Sequence, residues 1–320
     1  MFARDSKIVG ENSRFMQPLI VIGGATATGK SKLAIELAKE INGEIISADS
    51  MQVYRHMNIG TAKPTDEEMS EVKHHMIDIV NPDEEFSVAA YKKMCKTCIQ
   101  FVAKKGKMPI LVGGTGFYIN AVIYDNEFTE ETIDLGCRND LYEIAEIKGK
   151  EHLHNMLTEI DPKSAAQIHQ NNVKRVIRAI EFHKQTGIKM SDHNAKEQSR
   201  QAAYDLRFFI ANIDRAALYD KINKRVDQMM EAGLLKEVRG LLAMGYGENL
   251  VSMQGIGYKE LIEHINHGVP LEKAVDKLKQ NTRHYAKRQL TWFRNQVGWA
   301  EWVDVGDFNG LNLGDAKWCM

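Results

Sequence analysis

The chain has 320 residues, 43% hydrophobic and 27% charged, with a net charge of −1 at pH 7 and a pI near 6.8. That composition supplies apolar mass for one large or two ordinary domains and excludes a disordered or fibrous protein. The neutral balance excludes a whole-chain attraction to a polyanion, so any nucleic-acid surface has to be local. Four scattered cysteines read as reduced thiols of a cytoplasmic protein, and no apolar window is long enough to span a membrane.

The opening MFARDSKIVGENSRFMQ mixes charges throughout and lacks the apolar stretch of a secretory signal, so residues 1–17 read as a loose extension. Leu19–Gly24 is a strand, and it runs into GGATATGKS, Gly23 to Ser31. Gly24, four residues, then Gly29-Lys30-Ser31 have the spacing of a phosphate loop. Glycines let backbone N–H groups turn toward phosphate oxygens, Lys30 adds a point charge, Ser31 offers a hydroxyl to Mg²⁺, and the helix Ser31–Ile41 aims its positive end at the same anion. The loop alone does not separate ATP from another pyrophosphate.

Glu44–Ala48 reads as the second strand, followed by IISADSMQVY. Asp49 leaves the strand where doubly wound sheets place ligand groups; it can bind Mg²⁺, orient a hydroxyl or take a proton, or else cap a turn. Met76–Val80 is expected as a third strand, Ser87–Lys105 as a helix and Met108–Gly113 as a fourth strand. Phosphate-loop kinases commonly end a strand in this region with an acid that helps hold Mg²⁺. Here Gly113-Gly114-Thr115 stands in its place, which argues against ordinary ATP chemistry. Adjacent His74 and His75 point to opposite sides of an extended chain, and Cys95-x-x-Cys98 within a helix reads as core packing, not zinc or redox chemistry.

Residues 121–200 lose the strand signal and read as a helical insertion, with a basic helix over Asn172–Arg178. Leu206–Ile213 resumes the sheet, and the pattern is helical from Ala216 almost to the end. Lys277–Ala300 carries Lys277, Lys279, Arg283, Lys287, Arg288 and Arg294 with no acid, opposite an apolar face of Leu278, Thr282, Ala286, Leu290, Phe293 and Val297. With Tyr285 and Trp292 interleaved, this is a candidate footprint for a phosphate backbone, weighed against an ordinary solvated helix face. Arg225 reads as a pyrophosphate contact or a helix salt bridge. The expected architecture is an α/β parallel sheet of phosphate-loop type, formed by residues 18–120 and 201–320, with a helical insertion and a helical C-terminal part.

GATATGKS, ISADSMQVYRHMNIGTAKP, HHMIDIVNP, ILVGGTGFY, KRVIRAIEF, MQGIGYKE and AKRQLTWFR, in that order from Leu19 to Arg294, resemble the tRNA dimethylallyltransferases. The resemblance implies that the loop (Gly24, Thr26, Ala27, Thr28, Gly29, Lys30, Ser31) grips the pyrophosphate of dimethylallyl diphosphate. The prenyl group then moves to N6 of the adenosine 3′ of the anticodon, in tRNAs reading codons that begin with U. It implies Asp49 as the base, Thr115 and Arg225 as groups steadying the leaving diphosphate, and Mg²⁺ at Ser31. It implies tRNA contacts at Asp49, Ser50, Met51, Gln52, Thr115, Arg138, Lys174, Arg175, Arg178, Gln254, Gly257, Tyr258, Lys259, Lys287 and Arg288, with the insertion gripping the anticodon stem-loop of a monomeric enzyme. Ala25 departs from the family's usual proline. The rivals are a phosphate-loop small-molecule or nucleotide kinase, which leaves the missing acid and the basic C-terminal helix unexplained, and a non-catalytic RNA-binding module, which leaves the phosphate loop unexplained.

Overall fold

The segment PLIVIGG forms the central strand β1 (Pro18–Gly24); Leu19 and Val21 enter one core and Ile20 and Ile22 another, on opposite faces of the sheet. A strand apolar on both faces belongs to a parallel sheet covered on each side by helices. The computed structural model describes residues 16–124, 135–198 and 201–305, so all but Met16 and Gln17 of the expected N-terminal extension lies outside the described residues.

In chain order, β1 leads to α1 (Lys30–Glu40), β2 (Gly43–Ser47), α2 (Asp66–Glu71), β3 (His74–His75), α3 (Val88–Lys104), β4 (Met108–Gly113) and α4 (Gly116–Ile123). Then come α5 (Leu135–Ile147), α6 (Lys150–Ile160), α7 (Pro162–Gln167), α8 (Val173–Thr186) and α9 (Met190–Gln198). The sheet resumes with β5 (Asp205–Asn212), followed by α10 (Arg215–Glu231), α11 (Leu234–Ala243), α12 (Tyr258–His267), α13 (Leu271–Gln296) and β6 (Glu301–Asp304). The six strands lie in the order β3-β2-β4-β1-β5-β6 with every pairing parallel.

The strand expected at Met76–Val80 does not form. The β2 ladder pairs Ile45 and Ile46 with His74 and His75, and left-handed backbone at Met76 (φ 63°) and Asp78 (φ 55°) then turns the chain out of the sheet. Buried Met76 joins the core, and Val80 keeps one parallel bridge, to Tyr54. The edge strand β6 had no sequence signal.

The chain divides into two compact units, Met1–Asp125 with Ala202–Met320, and Asn126–Gln201. In the first, α3, α4 and the C-terminal half of α13 cover one face of the sheet, and α1 covers the other. A further core joins α11, α12 and the start of α13 to Val53, Tyr54 and Met57. The second unit has its own core, built from Leu141, Leu153, Leu157, Val176, Ile177 and Ile180 on α5, α6 and α8. There the buried Asp161 caps α7, and its Oδ2 also accepts from Ser164 Oγ (2.6 Å) and Ser191 N–H (2.9 Å).

Candidate active site

The C-terminal ends of β1, β2 and β4 open on a cleft lined by Thr26, Lys30, Ser31, Asp49, Thr61 and Arg225, among others. Gly24 (φ 149°) and Gly29 (φ 99°) let the loop turn from β1 into α1 in backbone regions that favour glycine. The first amides of α1 have no partners within the helix, and helix starts of this kind suit an anion. Ala25, completely buried, uses its carbonyl to accept Thr28 Oγ1 (2.9 Å) and Lys30 Nζ (3.3 Å). Thr28 is thus a structural member of the loop.

Lys30 and Arg225 are two cations beside one acid. Burial, then the Arg225 charge, push the Lys30 ammonium down to about 8, while Asp49 pulls the other way. Burial also lowers Arg225, opposed by Asp49 and Glu68. Arg225 Nη1 donates to Thr26 Oγ1 at 3.5 Å. Both groups stay charged at neutral pH, and burial makes that charge costly until an anion enters to offset it.

Asp49 caps the turn after β2, its Oδ1 accepting the N–H of Met51 (2.9 Å) and of Gln52 (3.4 Å). Among the described residues, Oδ2 accepts no hydrogen bond and Asp49 is the only carboxylate lining the cleft. One carboxylate oxygen therefore caps the turn and the other is left without a hydrogen bond. Thr115 Oγ1 accepts the Ser50 N–H (3.0 Å), tying the end of β4 to this turn.

The glycine pair that stands where an acid was expected has a steric cause. A Cβ on Gly113 would lie 2.1 Å from the Ala48 carbonyl oxygen, and one on Gly114 2.1 Å from Gln289 Nε2. Only glycine lets β4 pass this close to the exit of β2.

One site residue, Gln289, escaped the sequence reading, and a second, Tyr285, was read only as an aromatic within the basic run. Gln289 of α13, only 6% exposed, accepts the Thr26 N–H on Oε1 (2.9 Å) and donates from Nε2 to Gly114 O (2.9 Å), stapling the phosphate loop to β4. Tyr285, one turn earlier, hydrogen-bonds Thr115 and Gln289; burial and then the Asp49 charge raise its pKa. The available signal was a glutamine on the apolar stripe between Ala286 and Phe293.

Other expected contacts are distributed differently. Gln52 accepts Ser47 Oγ (2.9 Å) and donates to the carbonyls of Thr61 (3.3 Å) and Ala62 (3.1 Å), so it is part of the cleft wall. Met51 packs against Gly255, where a Cβ would lie 2.4 Å from its terminal methyl. Tyr258 corrects the expectation of a tRNA contact: its side chain is completely buried and donates to Glu237 Oε1 (2.7 Å), out of reach of any partner. Gly257 (φ 99°) caps α12 and donates to Glu260 Oε2, exposed Gln254 donates to Glu248 O, and half-buried Lys259 lies 3.8 Å from Glu260.

The basic run on α13 is narrower than its sequence implied. Lys279 pairs with Asp227 (2.6 Å) and Arg283 donates to Asn223 (2.6 Å), both on α10, whereas Lys287 and Arg288 are exposed. In the second unit, α8 exposes Lys174, Arg175 and Arg178, and Arg138 on α5 makes a two-pronged bond to buried Glu181 (3.1 and 2.7 Å). His75 donates to Glu44 and His74 to Val72 O, and no cluster of three or more metal-ligating side chains occurs among the described residues. Burial pushes the Cys95 thiol up to about 12, consistent with a core residue. Among the described residues, no helix is long and apolar enough to cross a membrane.

A family model described as IPP transferase matches residues 52–296. A tRNA dimethylallyltransferase of Lachnoclostridium phytofermentans is 51% identical over 294 residues, 92% of this chain and 94% of that protein. One from Bacillus cereus is 50% identical over 299 residues, 93% of each. Among solved structures, the tRNA isopentenylpyrophosphate transferase of Bacillus halodurans superposes with a TM-score of 0.66 at 46% identity, covering 90% of each chain. A eukaryotic dimethylallyltransferase captured acting on tRNA gives 0.77 at 29% identity, covering 94% of this chain and 77% of that one.

Proposed function

The chain belongs to the IPP transferase family of tRNA dimethylallyltransferases, and from that premise we propose how its site works: dimethylallyl moves from dimethylallyl diphosphate to N6 of the adenosine 3′ of the anticodon, in tRNAs reading codons that begin with U. The observation that carries this reading is the cleft itself. One carboxylate, Asp49, stands beside two half-buried cations and a phosphate loop, with glycines in place of a kinase's second acid.

The chemistry needs each part. An exocyclic adenine amine is a poor nucleophile because its lone pair is delocalised into the ring. The free Oδ2 of Asp49 takes its proton as the N–C bond forms, while backbone amides hold Oδ1 and fix the carboxylate's direction. Diphosphate departs with growing negative charge. Lys30, Arg225 and the first amides of α1 stabilise that charge, and Thr115 steadies it from the end of β4. Mg²⁺ suits the Ser31 hydroxyl, a hard oxygen donor in the same cleft; when bound, it neutralises diphosphate charge. The adenine has to leave its stack to reach Asp49. Ser50, Met51, Gln52, Gln254, Gly257, Lys259, Lys287 and Arg288 border that approach in our reading, and Arg138, Lys174, Arg175 and Arg178 receive the anticodon stem-loop. We read the enzyme as a cytoplasmic monomer.

The test uses the protein, Mg²⁺, radiolabelled dimethylallyl diphosphate and unmodified tRNA carrying adenosine after its anticodon. Label in RNA that disappears when that adenosine becomes guanosine is the expected result. ATP consumption with no label in RNA overturns the reading.

A further inference from the structure

We infer that Glu237 is a positioning residue for the prenyl donor, a role that rests on the proposed function: its carboxylate fixes the backbone of the loop that walls the diphosphate cleft. Glu237 lies on α11, far in sequence from that loop, yet four donors converge on it. Oε2 accepts the N–H of Asn58 (2.9 Å) and Ile59 (2.8 Å); Oε1 accepts the N–H of Gly60 (3.1 Å) and the Tyr258 hydroxyl (2.7 Å). Three successive amides turned toward one carboxylate form a backbone nest closed from within the protein.

A second observation joins this nest to the cleft. Immediately after the three amides come Thr61 and Ala62, whose carbonyls accept the Gln52 side chain and which line the cleft together with Pro64, Lys30 and Asp49. The loop is gripped by its amides on the Glu237 side and by its carbonyls on the Asp49 side. It also carries left-handed backbone at non-glycine residues, His56 (φ 66°) and Ala62 (φ 50°), which persists only where the surroundings over-determine it. Tyr258 adds shape to the grip. Its ring occupies the space beside Gly60, where a Cβ would lie 2.5 Å from Cζ. Glu237 touches neither substrate; it acts through the wall formed by Thr61, Ala62 and Pro64, and so on the pocket for the donor.

The experiment is steady-state transfer by the full-length enzyme, varying dimethylallyl diphosphate and tRNA separately. Glu237→Gln puts an amide N–H₂ among the four donors, so in one orientation the Asn58 and Ile59 amides lose their acceptor, and in the other the Gly60 amide does, while the Tyr258 hydroxyl can turn to accept. The donor KM should rise about tenfold while kcat falls less than about threefold and the tRNA KM stays within about twofold, since a small shift of a substrate-positioning wall has effects of this order. Glu237→Asp, which restores a carboxylate, should recover part of the loss, and Tyr258→Phe, which removes one donor of four, should raise the donor KM about twofold. A purely structural carboxylate predicts less folded enzyme with both KM values unchanged; that result in a folded Glu237→Gln protein overturns the inference, as does a parallel rise of both. If Glu237→Gln does not fold, hydrogen exchange on the wild-type protein decides: dimethylallyl diphosphate should slow the amides of Asn58, Ile59 and Gly60, and unchanged exchange refutes the coupling. Absence of transfer by the wild type would instead remove the proposed function, and this inference with it.

Discussion

Replacing Lys30 by methionine should stabilise the protein at pH 7 while abolishing its hold on diphosphate. The depression of the Lys30 pKa from 10.5 to about 8 corresponds to about 3 kcal/mol held against the charged ammonium in the folded state. Methionine matches the stem, removes the charge facing Arg225, and gives up the hydrogen bond to Ala25 O, worth about 1 kcal/mol. The net gain is about 2 kcal/mol. Because the folded pKa lies below the unfolded one, the unfolded chain binds the extra proton between about pH 8 and 10.5. Wild-type stability therefore climbs across that window, and the advantage of the variant, full below pH 8, fades by about pH 10. Urea unfolding of both proteins at pH 7 and pH 10 measures it. Saturating diphosphate should stabilise the wild type, by about 2.7 kcal/mol at a hundred times its Kd, and leave the variant unmoved. A variant less stable at pH 7, or one whose advantage is the same at pH 10, would refute the claim that Lys30 is a burdened cation kept for its ligand.

Three further perturbations follow from the same geometry. Gln289→Leu strands the Thr26 N–H and the Gly114 carbonyl and should cost about 2 kcal/mol in unfolding experiments, with a higher donor KM as the phosphate loop loses its staple. Gly113→Ala drives a methyl against the Ala48 carbonyl and should destabilise by about 3 kcal/mol; a loss well under 1 kcal/mol in the same assay would show that the two strand ends separate easily. In pH profiles, kcat/KM for the donor should fall above about pH 8 as free-enzyme Lys30 loses its proton, whereas kcat should hold to higher pH because bound diphosphate retains that proton.

Much of the site is local in the chain and was legible for that reason. The phosphate loop, the Asp49 turn and Thr115 each follow directly on an apolar strand, so spacing alone places them at one edge of a parallel sheet. The rest depends on distant segments. The staple by Gln289 bridges 263 residues to Thr26, and the Glu237 nest bridges 177 to 179; no periodicity reports such pairings. Apolar runs also mislead where burial comes without a ladder, as at Met76–Val80. The motif around Tyr258 is similar in kind: its signal was strong, but the tyrosine serves the core and the loop. Charge runs overstate a surface when cations such as Lys279 and Arg283 spend themselves on a neighbouring helix.

The most direct measurement is single-turnover prenyl transfer by Asp49→Asn, with tRNA and diphosphate binding measured on the same preparation. Asparagine keeps an oxygen for the Met51 and Gln52 amides but cannot take the adenine proton. The expected result is transfer slowed by a factor on the order of 10² to 10⁴ with both ligands still bound. Wild-type transfer rates in that variant would remove Asp49 from the base role and contradict the account of the cleft.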